Sequence, residues 1–164
     1  MKLAEIFTIV IPELAQTEKN AVLTEMIDAA VENGKVPEAA RNGVIREIFD
    51  REALAPTGLG RGVAVPHARC EKVSGTIGII ARSRVNAGNA RAKKGIEYNS
   101  LDGDPVDLFF MLLSAVKESD VQIAALDKIA RLVKNEHFVA FLRNAKTEKD
   151  IIEIFKDAEY DFNL

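Results

Sequence analysis

Tryptophan is absent from this chain, cysteine occurs once, and histidine and tyrosine occur twice each. A single cysteine, Cys70, excludes an internal disulfide framework and argues for a reducing compartment. Two histidines and one cysteine cannot supply a standard structural zinc site, and no HExxH motif is present. Long apolar runs are missing too: no stretch reaches the ~18 uninterrupted apolar residues of a membrane span. The amino-terminal apolar run stops at Pro12-Glu13 after one basic residue and an early acid, unlike a secretory signal. Excess positive charge is also lacking. The net charge of −3 does not favour a polyanionic partner. What remains is ordinary globular composition, 48% apolar and 29% charged over 164 residues. Residues 1–164 are expected to form one cytoplasmic domain, long enough to bury roughly two-thirds of its unfolded surface.

Periodicity divides the chain into interleaved strands and helices. Ile9-Val10-Ile11 reads as an edge strand ended by Pro12. Thr17 is placed to cap a helix with Val22, Leu23, Met26, Ile27, Ala29 and Ala30 on its apolar side, stopped at Asn33-Gly34. A second helix starts near Pro37, carries Val44, Ile45, Ile48 and Phe49, and ends before Pro56 with Arg51 and Glu52 in its last turns. Residues 57–62 read as a tight loop, Val63-Ala64-Val65 as a short buried strand, and 76–81 as another. Residues 83–100 are polar and read as an exposed loop, preceded by Arg82 and containing Arg84, Arg91, Lys93 and Lys94. Asp102-Gly103 marks a turn. The run Val106 to Leu113 is apolar enough for a central strand covered on both faces. The last third is helical. Ile123, Leu126, Ile129, Ala130 and Val133 form one stripe, and Phe138, Phe141 and Leu142 continue a second. Thr147 opens a further helix, with Asp150 where a capping box prefers Glu or Gln. This alternation implies an α/β layered domain.

His67 is the residue with the clearest chemical opportunity. It follows a strand end and Pro66, behind a glycine-rich loop, with Arg61 and Arg69 near it in sequence. His137 lies on an exposed helical turn and carries no such context. Neutral imidazole is a good nucleophile near pH 7 and, when protonated, a good leaving group, which suits a histidine to carry a phosphoryl group. Transfer then needs alignment, positive charge and N–H donors around the equatorial oxygens. Arg51, Arg61 and Arg69 are candidates for the charge. The backbone of Thr57, Gly58 and Gly60 is a candidate for phosphate-site support. Rival motifs are weak: Gly58–Gly62 lacks the lysine and hydroxyl of a Walker loop, and the basic loop has no interleaved aromatics. Cys70 fits inert packing better than catalysis.

The stretch Asp50-Arg51-Glu52-Ala53-Leu54-Ala55-Pro56-Thr57-Gly58-Leu59-Gly60-Arg61-Gly62-Val63-Ala64-Val65-Pro66-His67-Ala68 resembles the active-site signature of fructose/mannitol-type IIA domains of the bacterial phosphoenolpyruvate-dependent sugar phosphotransferase system (PTS). The nitrogen-regulatory IIA proteins belong to the same group. Leu101-Asp102-Gly103-Asp104-Pro105-Val106-Asp107-Leu108 is similar to a second segment of that family, in the right order and spacing. The resemblance covers nearly the whole chain. It implies a three-layer α/β/α sandwich around a mixed sheet. It further implies a phosphotransferase component with a phosphohistidine intermediate: His67 accepts phosphate from the carrier HPr, a IIB cysteine receives it, and Arg51 helps form the phosphate site. It implies no cofactor and no metal for the transfer, and Nε2 as the phosphorylated nitrogen.

The sequence departs from the family pattern in two places. Where many members carry a second active-site histidine, Gln122 stands here, able to donate an N–H but unable to become a cation. The basic loop from Arg82 to Lys94 is longer. Three functions follow as hypotheses: a phosphocarrier serving a sugar transporter or, preferred, a nitrogen-regulatory-type regulator; a binding module that kept the fold but lost efficient transfer; and a nucleic-acid or structural protein using the basic loop, disfavoured by the net charge. No nucleic acid and no membrane insertion are expected.

Overall fold

A computed structural model describes residues 1–84 and 94–161 of the chain. A single helical turn, α1 (Leu3–Ile6), leads into β1 (Phe7–Ile11), followed by α2 (Lys19–Glu32) and α3 (Arg41–Leu54). Short strands β2 (Gly58–Gly60), β3 (Val63–Ala64) and β4 (His67–Cys70) precede β5 (Thr76–Arg82) and β6 (Leu108–Ala115). Helices α4 (Ser119–Leu132), α5 (Glu136–Asn144) and α6 (Glu148–Asp161) finish the described chain.

The organising element is β6, whose eight residues are all buried. Successive side chains of a strand point to opposite faces. Phe109, Met111 and Leu113 therefore pack with Val22, Met26 and Ile27 of α2 and Val44 and Ile48 of α3. Leu108, Phe110 and Leu112 pack with Ile129, Leu142 and Phe155 of the carboxyl-terminal helices. Each fully buried side chain of this size contributes ~1.5–3 kcal/mol. Two cores on one sheet make a three-layer α/β/α sandwich, as expected.

The sheet is mixed, in the order β1-β5-β6-β3-β2, with β4 also pairing with β6. β5 runs antiparallel to β6 along one edge. Along its other edge β3 and then β4 run parallel to it, one after the other. Between them lies Val65-Pro66. Proline has no N–H for the ladder, so the strand breaks here. The Pro66 carbonyl still accepts from Leu112 N at 2.9 Å, which re-establishes the register that starts β4 at His67.

Several local expectations change. Thr17 does not cap α2; the Glu18 carbonyl takes the first helical bond, from Val22 N at 2.9 Å, and the helix begins at Lys19. Residues 57–62 are not a plain loop, because Gly58–Gly60 pairs with Val63–Ala64 as a hairpin. Arg82 is not the start of an exposed loop. It ends β5, is 3% exposed, and donates to the carbonyls of Pro12, Leu142 and Ala145 at 2.9, 2.6 and 2.9 Å. A cation suits the carbonyl end of α5, where the helix dipole is negative. Nor are residues 83–100 uniformly exposed: Ile96 bridges Val106, and Tyr98 is wholly buried against Phe109. Arg91 and Lys93 of the basic loop lie outside the described residues. The buried stripe of α4 is Gln122, Ala125, Ile129 and Leu132, which turns Ile123 outward, and Phe141 of α5 is exposed as well. At α6 the capping box forms with aspartate: Thr147 N donates to Asp150 Oδ2 at 2.9 Å, and Asp150 N donates to Thr147 Oγ1 at 3.1 Å.

Candidate active site

His67 is the first residue of β4, where alternation sends His67 and Arg69 outward while Ala68 and Cys70 face the core. The half-buried imidazole is held from behind. Its Nδ1 lies 2.8 Å from the carbonyl of Val65, a residue between β3 and β4. A carbonyl can only accept, so Nδ1 carries the proton and Nε2 presents its lone pair. Burial lowers the pKa of His67 below its ordinary value. The bond to Val65 opposes that shift, Arg51 reinforces it, and Glu52 and Arg69 act in opposite senses. A histidine kept neutral in this way is a competent nucleophile at neutral pH.

The imidazole opens into a cleft of about 420 Å³, lined by Glu47, Asp50, Arg51, Leu54, His67, Ala68, Arg69 and Gln122. Helix α3 supplies the first four, at i, i+3, i+4 and i+7, so one stripe of one helix faces the histidine. Arg51 is anchored by Nη1 donating to the Ala55 carbonyl at 3.0 Å, just past the end of that helix. The opposite wall is the first turn of α4. There Gln122, 3% exposed, donates from Nε2 to the Ala68 carbonyl at 2.9 Å, one residue from His67. Three residues far apart in sequence thus meet: His67, Arg51 and Gln122.

Thr57, Gly58, Gly60 and Arg61 are not among the residues lining this cleft. Thr57 is buried and directs both of its donors, N–H and Oγ1–H, to Glu52. A Cβ at Gly58 would come within 2.3 Å of Ser100 Oγ, so close packing requires glycine there. Gly60-Arg61-Gly62 forms the hairpin turn. Arg61 N donates to Asp102 Oδ2 at 2.8 Å, and its guanidinium faces Glu136 at 3.6 Å. Gly62, at φ +82°, leaves room for Arg143, which grips Asp107 through Nε at 2.8 Å and Nη2 at 2.7 Å. The glycine pattern thus serves a turn and an ion pair.

Sequence reading missed the Val65 carbonyl, Glu47, Asp50 and Leu54. The helical spacing of the last three around Arg51 was the available signal. The backbone acceptor left none. His137 is on an exposed turn of α5, away from the cleft. Cys70 is buried, which pushes its thiol pKa up and away from reactivity. A larger hollow of about 650 Å³ runs along α2, where Glu25 accepts from Ala15 N and Gln16 N and Asp28 pairs with Arg41. Among the described residues, no three His, Cys, Asp or Glu side chains cluster as a metal site, and no helix is long and apolar enough to cross a membrane.

Residues 6–158 match the family described as "Phosphoenolpyruvate-dependent sugar phosphotransferase system, EIIA 2". The chain is 30% identical over 158 residues to the PTS system fructose-specific EIIABC component of Bacillus subtilis, covering 94% of this chain but only 23% of that longer protein. It is also 30% identical over 145 residues to the nitrogen regulatory protein of Bradyrhizobium diazoefficiens, covering 88% of this chain and 87% of the relative. In three dimensions it is similar to nitrogen regulatory protein IIA-Ntr from Neisseria meningitidis, with a TM-score of 0.79 and 24% identity over 93% of this chain and 98% of that one. The profile match over almost the full length, the two relatives and the shared fold agree: the chain belongs to the EIIA 2 family of the phosphoenolpyruvate-dependent sugar phosphotransferase system.

Proposed function

We propose that this chain is a phosphocarrier in which His67 Nε2 accepts a phosphoryl group from an HPr-type donor and either passes it to a IIB cysteine or holds it as a regulatory signal. The observation that carries this reading is the bond from His67 Nδ1 to the Val65 carbonyl, which assigns the proton to one nitrogen and leaves the other as a directed nucleophile in the cleft.

In the forward step a P–N bond forms at Nε2 as the donor's own P–N bond breaks. The Nδ1 proton stays against Val65, so the positive charge gained by the ring is delocalised and shared with a backbone dipole. Arg51 sits on the cleft side, where negative charge spreads over the equatorial oxygens. In the onward step the imidazole leaves with its pair of electrons as a thiolate sulfur takes the phosphoryl group, and the histidine returns to its neutral Nδ1–H form.

A second reading is a regulatory module that keeps the IIA fold but transfers poorly, and Gln122 favours it. Its amide is committed to Ala68, and glutamine adds no charge beside the phosphoryl group. The test is incubation of the purified protein with phosphoenolpyruvate, enzyme I and HPr, followed by intact mass. The expected result is an acid-labile gain of one phosphoryl group that His67→Ala abolishes. Labelling of that variant would refute the site. No labelling of the wild type, with a known IIA domain labelled in parallel, would leave the non-transferring module.

A further inference from the structure

Helix α3 buries Val44, Ile48 and then Glu52, each four residues on from the last. A carboxylate thus occupies a place where the stripe calls for an aliphatic side chain. Burying an unpaired carboxylate is costly, and one held by several partners is tolerated. Glu52, 6% exposed, has such partners. Its Oε1 accepts from Thr57 N at 2.9 Å and pairs with Lys19 Nζ at 3.0 Å, and its Oε2 accepts from Thr57 Oγ1 at 2.6 Å. The Tyr98 hydroxyl stands 3.3 Å from Thr57 Oγ1, and Lys19 Nζ lies over the Tyr98 ring, 4.2 Å from its centre. Two bonds from one carboxylate fix both the backbone and the side chain of Thr57.

The next links lead to the histidine. The Thr57 carbonyl accepts from Val65 N at 3.0 Å, and the Val65 carbonyl accepts from His67 Nδ1 at 2.8 Å. Val65 lies at the break between β3 and β4, and its bond to Thr57 continues the β2–β3 pairing one residue past Gly58 and Ala64. Thr57 thus holds Val65 on the amide side, as Leu112 N on the Pro66 carbonyl holds it on the other. Arg51 and Glu52 are neighbours on α3 and project about 100° apart, one into the cleft and one into the core. The same helical turn therefore presents the cation to the phosphate side and the strut to the ring side.

We infer that Glu52, acting through Thr57 and the Val65 carbonyl, is a positioning residue that holds His67 in its Nδ1–H form for phosphoryl transfer at Nε2. This rests on the phosphocarrier reading for its effect on rate. Its effect on the imidazole stands apart from that reading. Glu52 touches neither the ring nor the phosphoryl group. Its contribution is alignment, for which small displacements of the nucleophile cost on the order of tenfold to a hundredfold in rate.

The test compares the wild type with Glu52→Gln, Thr57→Val and Thr57→Ser. ¹⁵N NMR of the unphosphorylated histidine reads its tautomer, and HPr-dependent labelling reads its rate. In the first two variants the Nε2–H tautomer should rise several-fold and labelling should slow by roughly ten- to a hundredfold. Thr57→Ser, which keeps the hydroxyl, should restore both. An unchanged tautomer overturns the inference even if the rate falls, because loss of stability alone would do that. Should Glu52→Gln not fold, the Thr57→Val and Thr57→Ser pair decides in the same way. A shifted tautomer in a protein that never labels would uphold the positioning role and refute the phosphocarrier reading instead.

Discussion

Replacing Arg51 by alanine removes the cation that lines the His67 cleft on the α3 side. Phosphoryl transfer spreads about one negative charge over oxygens roughly 4 Å from such a group, an interaction of ~2–4 kcal/mol at an effective dielectric of ~20–40. At ~1.4 kcal/mol per decade this is a loss of roughly thirtyfold to several hundredfold in the rate of labelling. The cleft is open to solvent, so the lower part of that range is expected. Arg51→Lys keeps the charge but loses the planar fork and should stay within about tenfold of wild type. The bond of Arg51 to the Ala55 carbonyl is an exposed one, so thermal stability should change by less than ~1 kcal/mol. The assay is rapid-quench transfer from phosphorylated HPr, with the unfolding midpoint as control. A labelling rate for Arg51→Ala within threefold of wild type, at unchanged stability, would refute the placement of transition-state charge beside α3.

Burial lowers the His67 pKa, so its NMR titration midpoint should fall below 6.5, and labelling should persist to more acidic pH than for a free imidazole; a midpoint at or above 6.5 contradicts this. The linkage has a definite sign. Between pH 6.5 and the lower folded value the unfolded chain binds the proton more readily, so stability falls as pH drops through that window, and His67→Gln should remove that slope from urea unfolding. Gln122→His should alter the transfer rate or the lifetime of the phosphoprotein, because it puts a group able to become a cation where a neutral amide now donates to Ala68; unchanged values of both would make the substitution neutral. Phe155 packs against Phe7, Phe110 and Phe138 with ring centres 5.3–6.2 Å apart, so Phe155→Ala should cost ~3–5 kcal/mol by denaturant titration, and a loss under 1 kcal/mol would contradict its place in the core.

The sequence by itself determined what depends on near neighbours. The unbroken apolar run through Phe109 and Leu112 could only be satisfied between two layers. Pro66 forced a strand break beside His67, Asn33-Gly34 ended a helix, and Thr147 with Asp150 began one. Paired with the family motifs, these were enough for the three-layer sandwich and for His67 as the centre of interest.

Only the tertiary structure decided which cations and donors share that centre. Arg61 is much nearer to His67 in sequence than Arg51, yet it faces Glu136, while Arg51 lines the cleft. Gln122 reaches Ala68 across a separation of 54 residues. Arg82 and Tyr98 looked solvated in a polar stretch and are buried, because one meets the carbonyl end of α5 and the other the aromatic core. The glycines between Thr57 and Val63 are consistent with a phosphate cradle or a crowded turn, and only the packed structure brings Ser100 and Arg143 against them. The physical reason is common to all of these. A periodic pattern sets which face of an element is apolar, but the contacts of a polar side chain depend on helix phase and strand register between elements, and these exist only once the layers have packed.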